Sequence, residues 1–226
     1  MFNAIKSWLR PPENRKYGEY TAYHWAAALR DDFPYFNEDP APTLRAGLDA
    51  HNVDADLPIL ICTHDNVDVR ILSCVLATVE SRTDCHAALL AALNDPSDRV
   101  RRAAAIALVK MDTIAGLSAV VAGKSHGKGI RTQAAYRLAE HGPAAKSAIP
   151  ALFALINDSD INFRSHWAAG AALKAIGQEA MPYLSHALRY GSGQVRFESA
   201  VSLREIGVPV DLQPLVDQIL GPESPE

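Results

Sequence analysis

The sequence predicts an all-α protein assembled from repeated two-helix units, with about fourteen helices and no sheet. Three observations carry this. An apolar residue followed by arginine recurs just after a turn, at Val69-Arg70, Val100-Arg101, Ile130-Arg131, Phe163-Arg164 and Val195-Arg196, and these arginines lie 31, 30, 33 and 32 residues apart. A second anchor follows, because Leu108, Leu138 and Leu203 each fall seven residues after their arginine. Finally, Leu173 to Gly177 and Leu203 to Gly207 read Leu-x-x-Ile-Gly, and Leu138 to Gly142 ends in a similar way with His141 in the isoleucine place. Glycine just past a helical pattern marks its stop, since it readily takes the left-handed conformation of a C-terminal cap.

The elements follow in chain order. Residues 1–14 form a predicted N-terminal capping helix, in which Phe2, Ile5, Trp8 and Leu9 share one face and Pro11-Pro12 end the segment. Residues 15–221 form the repeat array. "GEYTAYHWAAALRDDF" opens it as a first helix, and "DPAPTLR" (Asp39 to Arg45) copies the Asp-Pro…Arg spacing of Asp95 to Arg101. The first helices of later units are short and apolar: "DLPILICTH", "DCHAALLAAL", "TIAGLSAVVAG", "AAKSAIPALFALI" and "EAMPYLSHAL". Each is followed by a turn rich in Asp, Asn, Gly, Ser or Pro. The second helices begin at the apolar-Arg pair and carry small residues such as Ala104, Ala105 and Ala107, which let neighbouring helices approach closely. Asp95-Pro96 makes one such turn, and Asp98 is the expected N-cap after it. "DLQPLVDQIL" closes the array, and residues 222–226 are a Pro/Glu-rich tail.

Composition bounds the function. The 226 residues are 48% hydrophobic and 21% charged, with a formal net charge of -4. That balance argues against a surface given over wholly to nucleic acid or anionic lipid. The three cysteines, Cys62, Cys74 and Cys85, lie on apolar stretches without a C-x-x-C pair, so buried free thiols in a reducing compartment are expected. No stretch approaches the roughly 20 apolar residues of a membrane span. A cytoplasmic protein is the expectation.

The repeated unit, an acidic turn, Val-Arg, small residues and then Leu-x-x-Ile-Gly, resembles the HEAT-like repeats of the phycobilin-lyase type, most closely from Asp95 to Gly207. The resemblance implies an α-solenoid of helical hairpins, with first helices on the convex side and second helices lining the concave side. It also implies that Arg70, Arg101, Arg131 and Arg196 are structural and pair with acidic groups of the turns as a ladder between neighbours.

One unit departs from the pattern. In "DINFRSHWAAGAALKAIG" the step from Arg164 to Leu173 is nine residues rather than seven. Counting back from Leu173 instead puts Ser165 in the Val place and His166 in the Arg place, and Trp167 then falls where Arg102 and Phe197 stand in other units.

Some HEAT-repeat proteins are di-iron hydroxylases that ligate metal through His-Glu pairs, and no His-Glu occurs here. The groups His51, Asp54, Asp56 and His64, Asp65, Asp68 carry metal-ligating atoms, but those residue types also suit turns. "GKSHGKG" (Gly123 to Gly129) falls short of a phosphate loop, because three residues rather than four separate Gly from Gly-Lys and Gly129 replaces the hydroxyl residue. The loop is basic and opens a helix, which suits a weak anion contact. No nucleophile motif is present. From Asp95 to Arg137 there are eight basic residues against three acidic, a local excess that HEAT-like DNA glycosylases use on their concave face, although several of these arginines belong to the repeat itself.

The resulting expectation is a non-enzymatic protein-binding scaffold without metal, nucleotide or other cofactor, whose partner is another protein or a peptide segment. The alternatives are a lyase- or chaperone-like factor acting on a cofactor-bearing protein, which the resemblance implies, and a nucleic-acid-binding protein. Second-helix positions two and six residues after the Val place should align as two rows, one through Arg102, Trp167 and Phe197, the other through Ile106, Tyr136 and Val201. Thr132 and Ala171 hold the same places in their units. The rows would form an aromatic and apolar groove with basic character at the Arg102 end, suited to an amphipathic helix or an extended segment acidic at one end. The N-terminal helix, through Phe2 and Trp8, is the other candidate to fill it.

Overall fold

The computed structural model describes residues 16–17, 20–22, 26, 41–49, 56–158 and 163–211. The expected capping helix at 1–14 and the tail at 222–226 lie outside the described residues. Eleven α-helices are described: α1 (Ala41–Asp49), α2 (Leu57–Thr63), α3 (Val67–Val79), α4 (His86–Ala92), α5 (Asp98–Met111), α6 (Ile114–Ala122), α7 (Lys128–His141), α8 (Ile149–Ile156), α9 (Phe163–Ile176), α10 (Met181–Tyr190) and α11 (Gly193–Glu205). The chain divides into two compact units, Met1–Asp112 and Thr113–Glu226.

The fold is all-α and made of helical hairpins, the α-solenoid class. One detail differs from expectation. Lys16–Tyr17 (β1) and Tyr20–Thr21 (β2) form a two-residue antiparallel ladder, with Tyr17 opposite Tyr20. The helix expected to open at Gly18 is therefore replaced at its start, and helical structure is described from Ala22. Register explains this: only Gly18 and Glu19 separate the paired tyrosines, and a two-residue link with glycine first is a hairpin signal.

In the first unit α2 pairs with α3 and α4 with α5, first helix packs on first helix, α3 packs on α5, and α1 covers α3. The second unit repeats this with α6/α7, α8/α9 and α10/α11, where α7, α9 and α11 pack in series. Close approach rests on small side chains. Ala103, Ala104, Ala105 and Ala107 of α5 are buried, as are Ala168, Ala169 and Ala172 of α9. Between α9 and α11 a Cβ added to Gly170 would stand 3.4 Å from Ser202 Oγ. The anchoring leucines Leu108, Leu138, Leu173 and Leu203 are all core residues.

Helix ends follow the same logic. Gly177 and Gly207 have φ of 84° and 99°, the left-handed region that favours glycine. Pro58, Pro150 and Pro182 stand in the first turns of α2, α8 and α10, where a missing amide hydrogen costs no helical bond. Asp98 is not the N-cap of α5. It is the first helical residue, Ser97 occupies the cap, and Asp95 Oδ1 accepts from the Ser97 amide at 2.8 Å. The Asp-Pro turn thus closes on its own backbone.

The cysteines follow expectation in part. Cys74 and Cys85 are buried free thiols, while Cys62 is free and exposed. Burial pushes the Cys74 thiol far up and the Cys85 thiol up to about 11, so both stay protonated at neutral pH. No helix of the described residues is long and apolar enough to cross a membrane.

Candidate functional site

The repeated arginines are structural where their surroundings are described, but the ladder is intermittent. Arg70 reaches Asp95 with Nε and Nη2 at 2.8 and 3.0 Å, and its Nη1 donates to the His64 and Asp65 carbonyls. Arg131 pairs with Asp158 at 2.8 Å and donates Nε to the Val121 carbonyl at 2.9 Å. Both pairs are buried. Arg101 differs from the expected acid pairing. Arg101 donates Nη1 to the Asp95 and Pro96 carbonyls of its own turn and leaves Nε buried without a hydrogen bond. Arg196 donates Nε to the Leu188 carbonyl at 3.2 Å. Each of these arginines thus donates to at least one carbonyl at the end of the first helix or in the turn that follows it, and Arg70 and Arg131 also meet a carboxylate.

The irregular unit resolves in favour of the count from Leu173. Ser165 is fully buried in the Val place and shares a 2.6 Å hydrogen bond with Thr132 Oγ1. His166 takes the arginine place and faces the Ile156 carbonyl, as Arg131 faces that of Val121. Burial holds the His166 pKa below its ordinary value, against the Ile156 carbonyl and the Asp158 carboxylate, which pull the other way. Phe163 and Arg164, the pair that had matched the Val-Arg pattern, are both exposed.

The expected groove residues separate into surface and core. Ile106 is 3% exposed and belongs to the core of the first unit, so it is withdrawn from the groove. Its place faces the packed layer because α5 carries alanine at the neighbouring positions, which draws adjacent helices in around it. Thr132, two residues after its Val place, is buried by its bond to Ser165. Arg102 is exposed, on the first unit. The second unit holds the other four: Trp167 is 58% exposed, Tyr136 36%, and Phe197 and Val201 are half-buried. Phe163, the apolar member of the Phe163-Arg164 pair, is 63% exposed and stands one helical turn before Trp167.

The same helix pair carries a buried acid that the sequence reading passed over. Glu198 of α11 is buried, accepts from Gln194 Nε2 at 3.0 Å, and has Oε2 3.8 Å from where a Cβ on Gly170 would stand. Burial raises its pKa, and the Gln194 hydrogen bond opposes this. Position could have flagged it: the same place in other second helices holds Ala103, Gln133 and Ala168, none of them charged.

The other sequence candidates are structural where they are described. His64 Nδ1 accepts from the Asn66 amide, and Asp68 accepts from Arg99 at 3.3 Å. His51 and Asp54 lie outside the described residues, and among the described residues no cluster of three metal-ligating side chains occurs. In the Gly123 to Gly129 loop the His126 ring packs where a Cβ on Gly123 would stand, closing the loop on itself. A cavity of about 310 Å³ in the first unit is lined by Arg45, Leu48, Leu57, Leu60 and Arg82. Both arginines are already engaged by carboxylates, Arg45 by Glu80 and Arg82 by Asp84.

The family model described as HEAT repeat matches residues 87–114, which span α4 and α5. That segment thus matches one HEAT repeat, a two-helix unit. No curated protein matches it. Among solved structures it is similar to a crystal structure titled only as an engineered protein, at 17% identity and a TM-score of 0.46, covering 90% of this chain and 95% of that one.

Proposed function

We propose that the chain is a non-enzymatic, cytoplasmic scaffold that binds another protein through the solvent-facing side of its second helices, with Trp167 as the central anchor in the second unit. One observation carries the reading. On α9 the core-facing side is made of Ala168, Ala169, Ala172 and Leu173, all buried, while Phe163 and Trp167, the two largest side chains of the helix, are left to solvent one turn apart. Large aromatics exposed together are a feature of contact surfaces, because they bury much area at small conformational cost. Tyr136 on α7 and Phe197 and Val201 on α11 extend the surface across the neighbouring helices. HEAT repeats commonly serve protein interaction, which supports the same reading. Arg102 on the first unit is a separate candidate contact. Free Cys62, Cys74 and Cys85 support a reducing compartment.

The test is affinity for a natural partner. Tagged chain purified from its own host, with co-purifying proteins identified by mass spectrometry, supplies that partner. Trp167→Ala should weaken capture by about 2 kcal/mol while leaving the circular dichroism spectrum unchanged. Tyr190→Ala, which removes a still more exposed aromatic on a first helix, should bind as wild type does. The reverse pattern would move the contact to the first helices.

A further inference from the structure

The parallel second helices α9 and α11 are set in register by two contacts: Lys174 Nζ meets Glu205 at 2.8 Å, and Ser202 Oγ approaches the Gly170 carbonyl at 3.4 Å. Seven residues earlier on each helix, two turns along the same seam, stand Trp167 and Glu198. Where the Lys174 place puts a cation opposite the carboxylate of Glu205, the equivalent place opposite Glu198 holds an aromatic ring. By this register, among the described residues, the place across from Glu198 on α9 is held by a ring and not by a base. Glu198 is 6% exposed, and Gln194 is the side chain that donates to it. An ionised carboxylate offers about four acceptor sites, and burying it with so few donors is unfavourable. Trp167, one turn before the Gly170 that Glu198 approaches, is exposed.

Resting on the groove reading above, we propose that this surface receives an arginine side chain of the partner protein, its guanidinium ion-paired to Glu198 and laid over the Trp167 ring. Guanidinium suits both components. Its planar fork matches a carboxylate, and its face stacks on an aromatic ring better than a compact ammonium does. The partner is then a basic, apolar segment, in which flanking apolar residues cover Phe163 and Phe197. This reverses the charge expected from the sequence, where an acidic segment was matched to Arg102. Within the second unit the charge left without an opposite on this seam is negative. On these two helices Lys174 is held by Glu205, and Arg196 donates to the Leu188 carbonyl.

The experiment is selection of a phage-displayed random peptide library on the immobilised full chain, followed by binding of a selected peptide to variants. Selected peptides should share an arginine at a fixed offset from an apolar anchor. Replacing that arginine by its neutral analogue citrulline should weaken binding to wild type roughly ten- to a hundredfold, and should change nothing on Glu198→Gln. Trp167→Ala should weaken both peptides. Glu198→Gln is close to isosteric, and an unchanged far-ultraviolet spectrum with a melting point no lower than wild type confirms its fold. Peptides without a basic residue, peptides enriched in acids, or a citrulline effect of equal size on wild type and Glu198→Gln would each overturn the arginine assignment. If Trp167→Ala still weakens binding in those cases, the groove stands without it. Peptides that bind Trp167→Ala as tightly as wild type, or no selected peptides at all, would count against the groove and the assignment together.

Discussion

Asp158 is the point where two side chains of the second unit converge: Arg131 bonds it at 2.8 Å, and His166 faces it from the next second helix. Removing one member of so buried a pair leaves an uncompensated charge. Arg131→Met should therefore cost about 3–5 kcal/mol, and the double variant Arg131→Met/Asp158→Leu should recover much of the loss, read as urea midpoints. Two titrations act in opposite directions. The Glu198 pKa is raised in the folded chain, so the folded state holds its proton more tightly than the unfolded one, and the group's unfavourable contribution is full above the folded pKa. Glu198→Gln should thus raise the melting temperature at neutral pH, with a gain that shrinks as pH falls towards the ordinary glutamate value. The His166 pKa is lowered, so the unfolded chain binds that proton more readily, and stability should fall as pH drops below the ordinary histidine value. In His166→Gln this part of the acid sensitivity should be absent. Arg70 and Arg131 could be read from their spacing. His166 could be read only by counting back from Leu173, because the exposed Phe163-Arg164 pair imitates the repeat two residues early. The burial of Glu198 was hidden by its chemistry, since glutamate is ordinarily a surface residue.

Helices and their ends were the legible part of the element scale, because one two-helix unit recurs and the three second helices of the second unit each stop at a glycine, Gly142, Gly177 or Gly207. Gly177 at φ 84° predicts that Gly177→Ala costs about 1 kcal/mol, since a Cβ is strained there even though no neighbouring atom lies within 4 Å. Gly129, with equal room and no positive φ, should tolerate alanine without loss. Thermal melts of the two variants make the comparison. The β1–β2 ladder was less legible, because two-residue strands are too short for an alternating pattern and a helical reading absorbed them. Ile106 was misplaced for a related reason. Its offset from the Val place matches Tyr136 and Val201, but offset alone does not say which side of a tightly packed helix is covered. The alanines around it decide that, and it is buried.

For the molecule as a whole, the central claim is that Trp167 is open in the free chain and covered by a partner. The chain has three tryptophans, so the variant Trp8→Phe/Trp25→Phe leaves Trp167 as the sole reporter. The direct measurement is acrylamide quenching of its fluorescence, with and without the co-purifying partner. Free chain should show red-shifted emission and efficient quenching, as expected for a ring 58% exposed. Partner at saturation should shift emission to the blue and suppress quenching several-fold. Emission already blue and shielded in the free chain would mean that a segment of the chain itself fills the groove. Quenching unchanged at saturating partner would place the contact elsewhere and contradict the claim.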